Sequence, residues 1–247
     1  MIFDSQSKNA EQVAPVMFNP FKRKSHRPAE AHVMRDTLFC DAPLYAWPKD
    51  CAELVGVEPW KFFCAARVAL ANHRTSDAIA AWKHVIDLPG LESRMYAQAW
   101  RFLRQHGVQP PPEAATSLLG VVLEIPVGGA FDLIAAYQDR SARYWNYAGA
   151  GIVWERPNDS LDSCVDALLE VSQAALRAIG AGDNPRPAPP PPGHVRLSFI
   201  CPGGLSYGQG PFEEFSKDPK AGVIIQIGSA LMRKMMAVTS GHLHSEA

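Results

Sequence analysis

Three groups of side chains in this 247-residue chain have types and spacings that could do chemistry. The first is Asp139, Arg140, Arg143, Tyr144, Trp145 and Asn146. Guanidinium forks beside aromatic rings suit recognition of a carboxylate, a phosphate or a protein surface, and such residues dominate interface hot spots. They equally suit cross-strand packing, with Arg143 stacked on a ring and paired to Asp139 or Glu155. The second group is the glycine-rich run holding Gly203, Gly204, Ser206, Tyr207, Gly208 and Gly210. Amides of such a loop can wrap a phosphate, but this run has no P-loop lysine and no strand-to-helix setting, so turn geometry is the simpler account. The third is Lys22, Arg23, Lys24 and Arg27 beside Phe18 and Phe21. Lysine and arginine neutralise phosphates while phenylalanine stacks on bases, although basic blocks of this size are also ordinary in solvated tails.

Other candidate chemistry is thinner. Gly204-Leu-Ser-Tyr-Gly208 carries the letters of a nucleophile elbow, yet it falls in an expected hairpin. His242 and His244 would supply the histidine only from a polar tail. The same two are the only His or Cys pair at metal-ligand spacing, so neither a metal nor a catalytic residue is assigned. Glu213-Glu214, and Asp159 with Asp162 and Asp166, stand at helix beginnings, where they favour the positive end of the dipole. Net charge near zero, from 24 Lys+Arg against 25 Asp+Glu, gives no global field toward nucleic acid or anionic lipid. The cysteines, Cys40, Cys51, Cys64, Cys164 and Cys201, show no CxxC spacing and read as buried reduced thiols of a reducing compartment. The first residues lack the basic and apolar regions of a secretory signal, and uninterrupted apolar runs are too short to span a bilayer, so a cytoplasmic location is expected.

These residues need elements to hold them. Residues 1–41 read as an extended basic-aromatic arm. From residue 42 the period is helical: Trp60, Phe63, Cys64 and Val68 line one helix, then Ala78, Ala81, Trp82 and Val85 a second, stopped by Pro89-Gly90. Met95, Ala99, Phe102 and Leu103 line a third, closed by Gly107. The order Trp60, Ala78, Trp82, Val85, Pro89 resembles one tetratricopeptide-type helical hairpin over about thirty residues, with two extra residues in its loop. A lone unit of that family builds no peptide groove, and a simple three-helix layer, 42–108, accounts for the pattern.

After Pro110-Pro111-Pro112 the period changes to two. Leu119–Ile125, Phe131–Tyr137, Ala142–Tyr147 and Ile152–Glu155 read as an antiparallel meander whose near-continuous apolar character requires cover on both faces. A helix follows, with Leu161, Val165, Leu168 and Leu176 as its stripe, and then a Pro-rich connector over 181–193 that could also dock in an aromatic groove. His194–Ile200 and Leu205–Gln209 form a hairpin about Cys201-Pro-Gly-Gly204, a type II turn sequence. Pro219 opens a last helix ending near Val238, and 239–247 reads as a disordered tail.

The expected fold is α+β: an antiparallel sheet of two hairpin or meander systems, covered by two long helices and preceded by an α-helical N-terminal layer, with the α+β domain spanning 118–238. The expected function is a non-catalytic intracellular binding or assembly component. It would recognise another protein, or a second copy of itself, through the arginine and aromatic surface. One alternative is an enzyme handling a small molecule or nucleotide with the arginines and the glycine loop. The other is nucleic-acid binding through the basic arm. No cofactor and no membrane span are expected.

Overall fold

The period-two stretch after Pro112 becomes a six-stranded antiparallel sheet. The structure, a computed structural model, describes residues 35–47 and 58–245. The arm that carries Lys22, Arg23, Lys24 and Arg27 lies outside the described residues. Gly120–Val127 (β1) turns back into Ala130–Tyr137 (β2) through Gly128-Gly129, whose φ angles of 53° and 88° are those of a two-residue primed turn. Ala142–Trp145 (β3) and Gly151–Trp154 (β4) continue the meander, and His194–Cys201 (β5) with Gly204–Pro211 (β6) adds to the free side of β1. The order is β4-β3-β2-β1-β5-β6, so the two hairpin systems form one sheet, and the fold is α+β.

Alternation along β1 sends Val121 and Leu123 to one face and Val122 and Glu124 to the other. The first face, with Ile134, Phe199 and Leu197, packs under Asp162–Ile179 (the long crossover helix) and Ala221–Ser245 (the last helix) through Val165, Leu168, Ile224, Leu231 and Met235. The second face, with Leu133, Ala135 and Tyr137, meets Leu38, Phe39 and Ala97. Burial of both faces explains why the strands read as nearly continuous apolar runs.

The helical layer consists of Trp60–Ala71 (α1), Thr75–Asp87 (α2) and Ser93–Gln105 (α3), around Phe63, Ala78, Trp82, Val85, Ala99, Phe102 and Leu103. Helix α3 belongs to two cores at once. Phe102 and Leu103 point into the helical layer, Ala97 points to the sheet, and Trp100 packs against both. Pro112–Ala115 (α4) leads into β1. Numbering on, the crossover helix is α5, Phe212–Phe215 is α6 and the last helix is α7.

Expectations for the last helix and for the cysteines are corrected. Helix α7 begins two residues after Pro219, where the Asp218 carboxylate accepts from the amides of Lys220 (2.8 Å) and Ala221 (2.7 Å). It then continues through the expected tail to Ser245, and within it the hydroxyls of Thr239 and Ser240 bond back to the Met235 and Met236 carbonyls, each at 2.9 Å, which satisfies them inside the helix. Its Ala221–Ser240 stretch is long and apolar enough by length and composition to cross a membrane, although Arg233 and Lys234 interrupt the apolar run. In this fold its Ile224, Leu231 and Met235 are core residues. Finally, Cys64 is disulfide-bonded, with its partner outside the described residues, while Cys40, Cys164 and Cys201 are free. Spacing along the chain could not reveal that bond, since proximity of the two Cβ atoms in space decides it.

Candidate functional site

The arginine and aromatic group of the β2–β3 region is divided by the sheet. Arg143 is 4% exposed; it donates to the carbonyls of Ala142 (2.9 Å) and Trp154 (3.0 Å) and pairs with Glu155. Tyr144 points to the opposite face, where its hydroxyl donates to Asp132 at 2.9 Å. Burial, followed by that carboxylate, pushes its pKa up. Trp145 packs into the core on the second face, opposite Leu133. Asn146 closes its own turn by accepting from the amides of Ala148 (3.0 Å) and Ala150 (2.8 Å). Arg140 alone is exposed, and Asp166 and Asp162 of α5 hold it at 2.9 Å and 3.2 Å. The expected recognition surface therefore does not form as one patch, because strand alternation separates its members and both faces are covered. Asp139 has a positioning role instead. It accepts from the Ser93 amide (2.9 Å) and from Ser141, and its own amide donates to the Ser93 hydroxyl (2.8 Å), which ties the first residue of α3 to the sheet.

The glycine run is a hairpin of close contacts and not a phosphate cradle. Gly208 and Gly210 lie against the Phe215 ring. Ser206 is buried, and its hydroxyl donates to the Gly180 carbonyl at 2.8 Å. The Arg196 guanidinium stands 5.5 Å from the ring centre of Tyr207. Gly203 and Gly204 have a different use. At Gly204 φ is 132°, and a Cβ there would fall 2.5 Å from the Gly182 carbonyl oxygen, so only glycine lets the connector lie against this turn. A parallel bridge from Asp183 to Leu205 fastens the two together.

That contact forms one wall of a cleft of about 610 Å³, between residues 35–41, α3, the 183–188 part of the connector and the β5–β6 turn. Four arginines line it: Arg35, Arg101, Arg104 and Arg186. None was singled out by sequence. Behind Arg35, cross-strand register sets Glu124 of β1 beside Arg196 of β5, and Arg196 beside Gln209 of β6. Glu124 is 0% exposed and lies between two buried arginines, with Arg35 Nε at 2.6 Å and Arg196 Nη1 at 3.3 Å. Arg196 Nε and Nη2 donate to the Gln209 side-chain oxygen. Other guanidinium hydrogens hold the connector: Arg35 donates to the Pro187 carbonyl at 2.8 Å and Arg196 to the Ala188 carbonyl at 2.6 Å. This triad of two positive charges and one negative leaves a positive excess under the connector.

On the walls, Arg186 is gripped by Asp41 at 2.5 Å and Asp36 at 2.6 Å, while Arg104 meets Asp183 at 3.0 Å and the Pro202 carbonyl at 2.5 Å. Arg35 and Arg186 also stand over the Phe39 ring, 5.1 Å and 5.3 Å from its centre. Arg101 differs. It donates to the carbonyls of Asp41 and Ala42, and no ion pair joins it to a carboxylate among the described residues. Burial pushes its pKa below the ordinary value. Asp41 acts against this, while Arg104 and Arg186 add to it. The cleft thus holds four guanidiniums against the carboxylates of Asp36, Asp41 and Asp183, and Arg101 is the guanidinium of the four without an ion pair among the described residues.

The two thiols lining the cleft are poor nucleophiles. Desolvation pushes Cys40 up to about 12 against the pull of Arg94, and burial likewise raises Cys201. Among the described residues no group of three or more His, Cys, Asp or Glu could hold a metal ion. No family model, curated protein or solved structure matches this chain.

Proposed function

We propose that the protein is a binding component, without catalysis of its own, whose recognition site is the arginine-lined cleft and whose ligand carries an acidic group. The observation that carries this reading is Arg101, which lines the cleft with no carboxylate paired to it among the described residues. A volume of about 610 Å³ lies within the roughly 300–1,000 Å³ of small-molecule sites, which favours a small ligand over a flat protein surface. The walls are mixed in the way such sites require, with Phe39, Ala97, Ile200 and Leu205 between the guanidiniums. The donors are preorganised by backbone carbonyls, so little side-chain order has to be gained on binding.

Calorimetric titration with inorganic phosphate at constant ionic strength tests the reading. Wild-type protein is expected to bind it, and Arg101→Met, which keeps the aliphatic stem, is expected to bind at least tenfold more weakly, a loss of about 1.4 kcal/mol. Equal affinity of the two proteins would remove the cleft from consideration.

A further inference from the structure

We propose that the cleft selects a dianionic head group of the phosphate-monoester kind, which bridges Arg101 and Arg104 of α3 to Arg186 of the connector by displacing Asp36 and Asp183. The inference rests on the cleft being an acidic-ligand site, and it names the class of ligand and what that ligand must compete with.

Arg101 and Arg104 are three residues apart on α3 and so lie on one helical face, and Arg186 comes from the connector wall of the same cleft. With Asp41 retained on Arg186, the three guanidiniums carry an excess of two charges once Asp36 and Asp183 are displaced, and a monoanion leaves one of them uncompensated. Two charges on one compact head compensate both, and tetrahedral oxygens can accept from forks on both walls at once.

The cleft already contains anionic acceptors on these arginines. Asp36 sits on Arg186 at 2.6 Å and Asp183 on Arg104 at 3.0 Å. These two carboxylates are 60% and 63% exposed, so each can return to water when an anion takes its place. Asp41, also on Arg186, is 17% exposed and stays as the fixed partner. The apolar part of the ligand would rest on Phe39 and Leu205, which line the same space.

The experiment compares phenyl phosphate with benzoate, which share a ring and differ in the charge of the head, by calorimetry at pH 8 and constant ionic strength. Wild type, Arg101→Met and the double variant D36N/D183N are titrated with each. Phenyl phosphate is expected to bind wild type at least tenfold more tightly than benzoate. The double variant is expected to bind phenyl phosphate about tenfold more tightly than wild type, since two competing carboxylates are gone. Equal binding of the two probes, or an unchanged affinity in the double variant, overturns this inference while any Arg101-dependent binding leaves the cleft reading standing. Failure of both probes to bind in an Arg101-dependent way overturns both.

Discussion

Replacing Glu124 by Ala is expected to destabilise the protein by about 3–5 kcal/mol, the range for removing one partner of a buried ion pair. The carboxylate is 0% exposed and is the only acidic group on Arg35 and Arg196 among the described residues. Without it, two buried guanidiniums are left with only the neutral oxygens of Pro187, Ala188 and Gln209, and each retains its desolvation cost. Simultaneous replacement of Arg35 and Arg196 by Met and Glu124 by Leu is expected to recover most of the loss, because an apolar cluster of similar volume carries no desolvation penalty. The same triple variant removes the hydrogen bonds to Pro187 and Ala188 that hold the connector, so it should fold and yet lose anion binding. Urea unfolding of the three proteins checks this. A cost below about 1 kcal/mol for Glu124→Ala would mean that water reaches the triad and screens it.

Trp82→Ala carries the other large effect, again about 3–5 kcal/mol, by opening a cavity in the helical layer. The indole is 0% exposed and stacks on Phe102 at 5.1 Å and on His106 at 5.1 Å. Its ring nitrogen makes no hydrogen bond, so the loss comes from packing and not from a broken polar contact. Helix α3 shares Trp100 between the helical and sheet cores, and Asp139 ties its first turn to the β2–β3 turn. The two layers are therefore expected to unfold together, in one transition shifted to lower urea with its slope retained. Two separate transitions, with only the helical signal moved, would show that the layers are energetically independent.

The fold was legible because it rests on local signals. Alternation along β1 and β2, the paired glycines at 128 and 129, and the Pro-Gly pair before Gly204 each specify their own geometry, and together they place all six strands. The crossover helix was equally readable from Val165, Leu168 and Leu176, all of which are buried. The end of α7 was not, because serine and threonine look like loop residues until their hydroxyls are seen to bond back along the helix.

The site was hidden for a different reason. Arg35 reaches Pro187 across 152 residues, and Arg104 reaches Asp183 across 79. No window along the chain contains both walls. Arg143 and Tyr144 drew notice because they are adjacent, and adjacency in a strand is the arrangement that sends side chains to opposite faces. Arg186 offered only a lone charge in a proline run, and Arg101 and Arg104 a pair of basic positions on an amphipathic helix. The glycine run did mark the right neighbourhood, through Gly204, but for its close approach to the connector and not for its amides.

The central claim is that the Arg101 and Arg186 guanidiniums bind an anion. Their Nε–Hε resonances, assigned by substitution and followed while inorganic phosphate is added at constant ionic strength, report on it at the atoms concerned. Both are expected to move and saturate together, with the buried Arg35 and Arg196 resonances moving less. Saturable shifts confined to other arginines, or no saturable shift at Arg101, would contradict it.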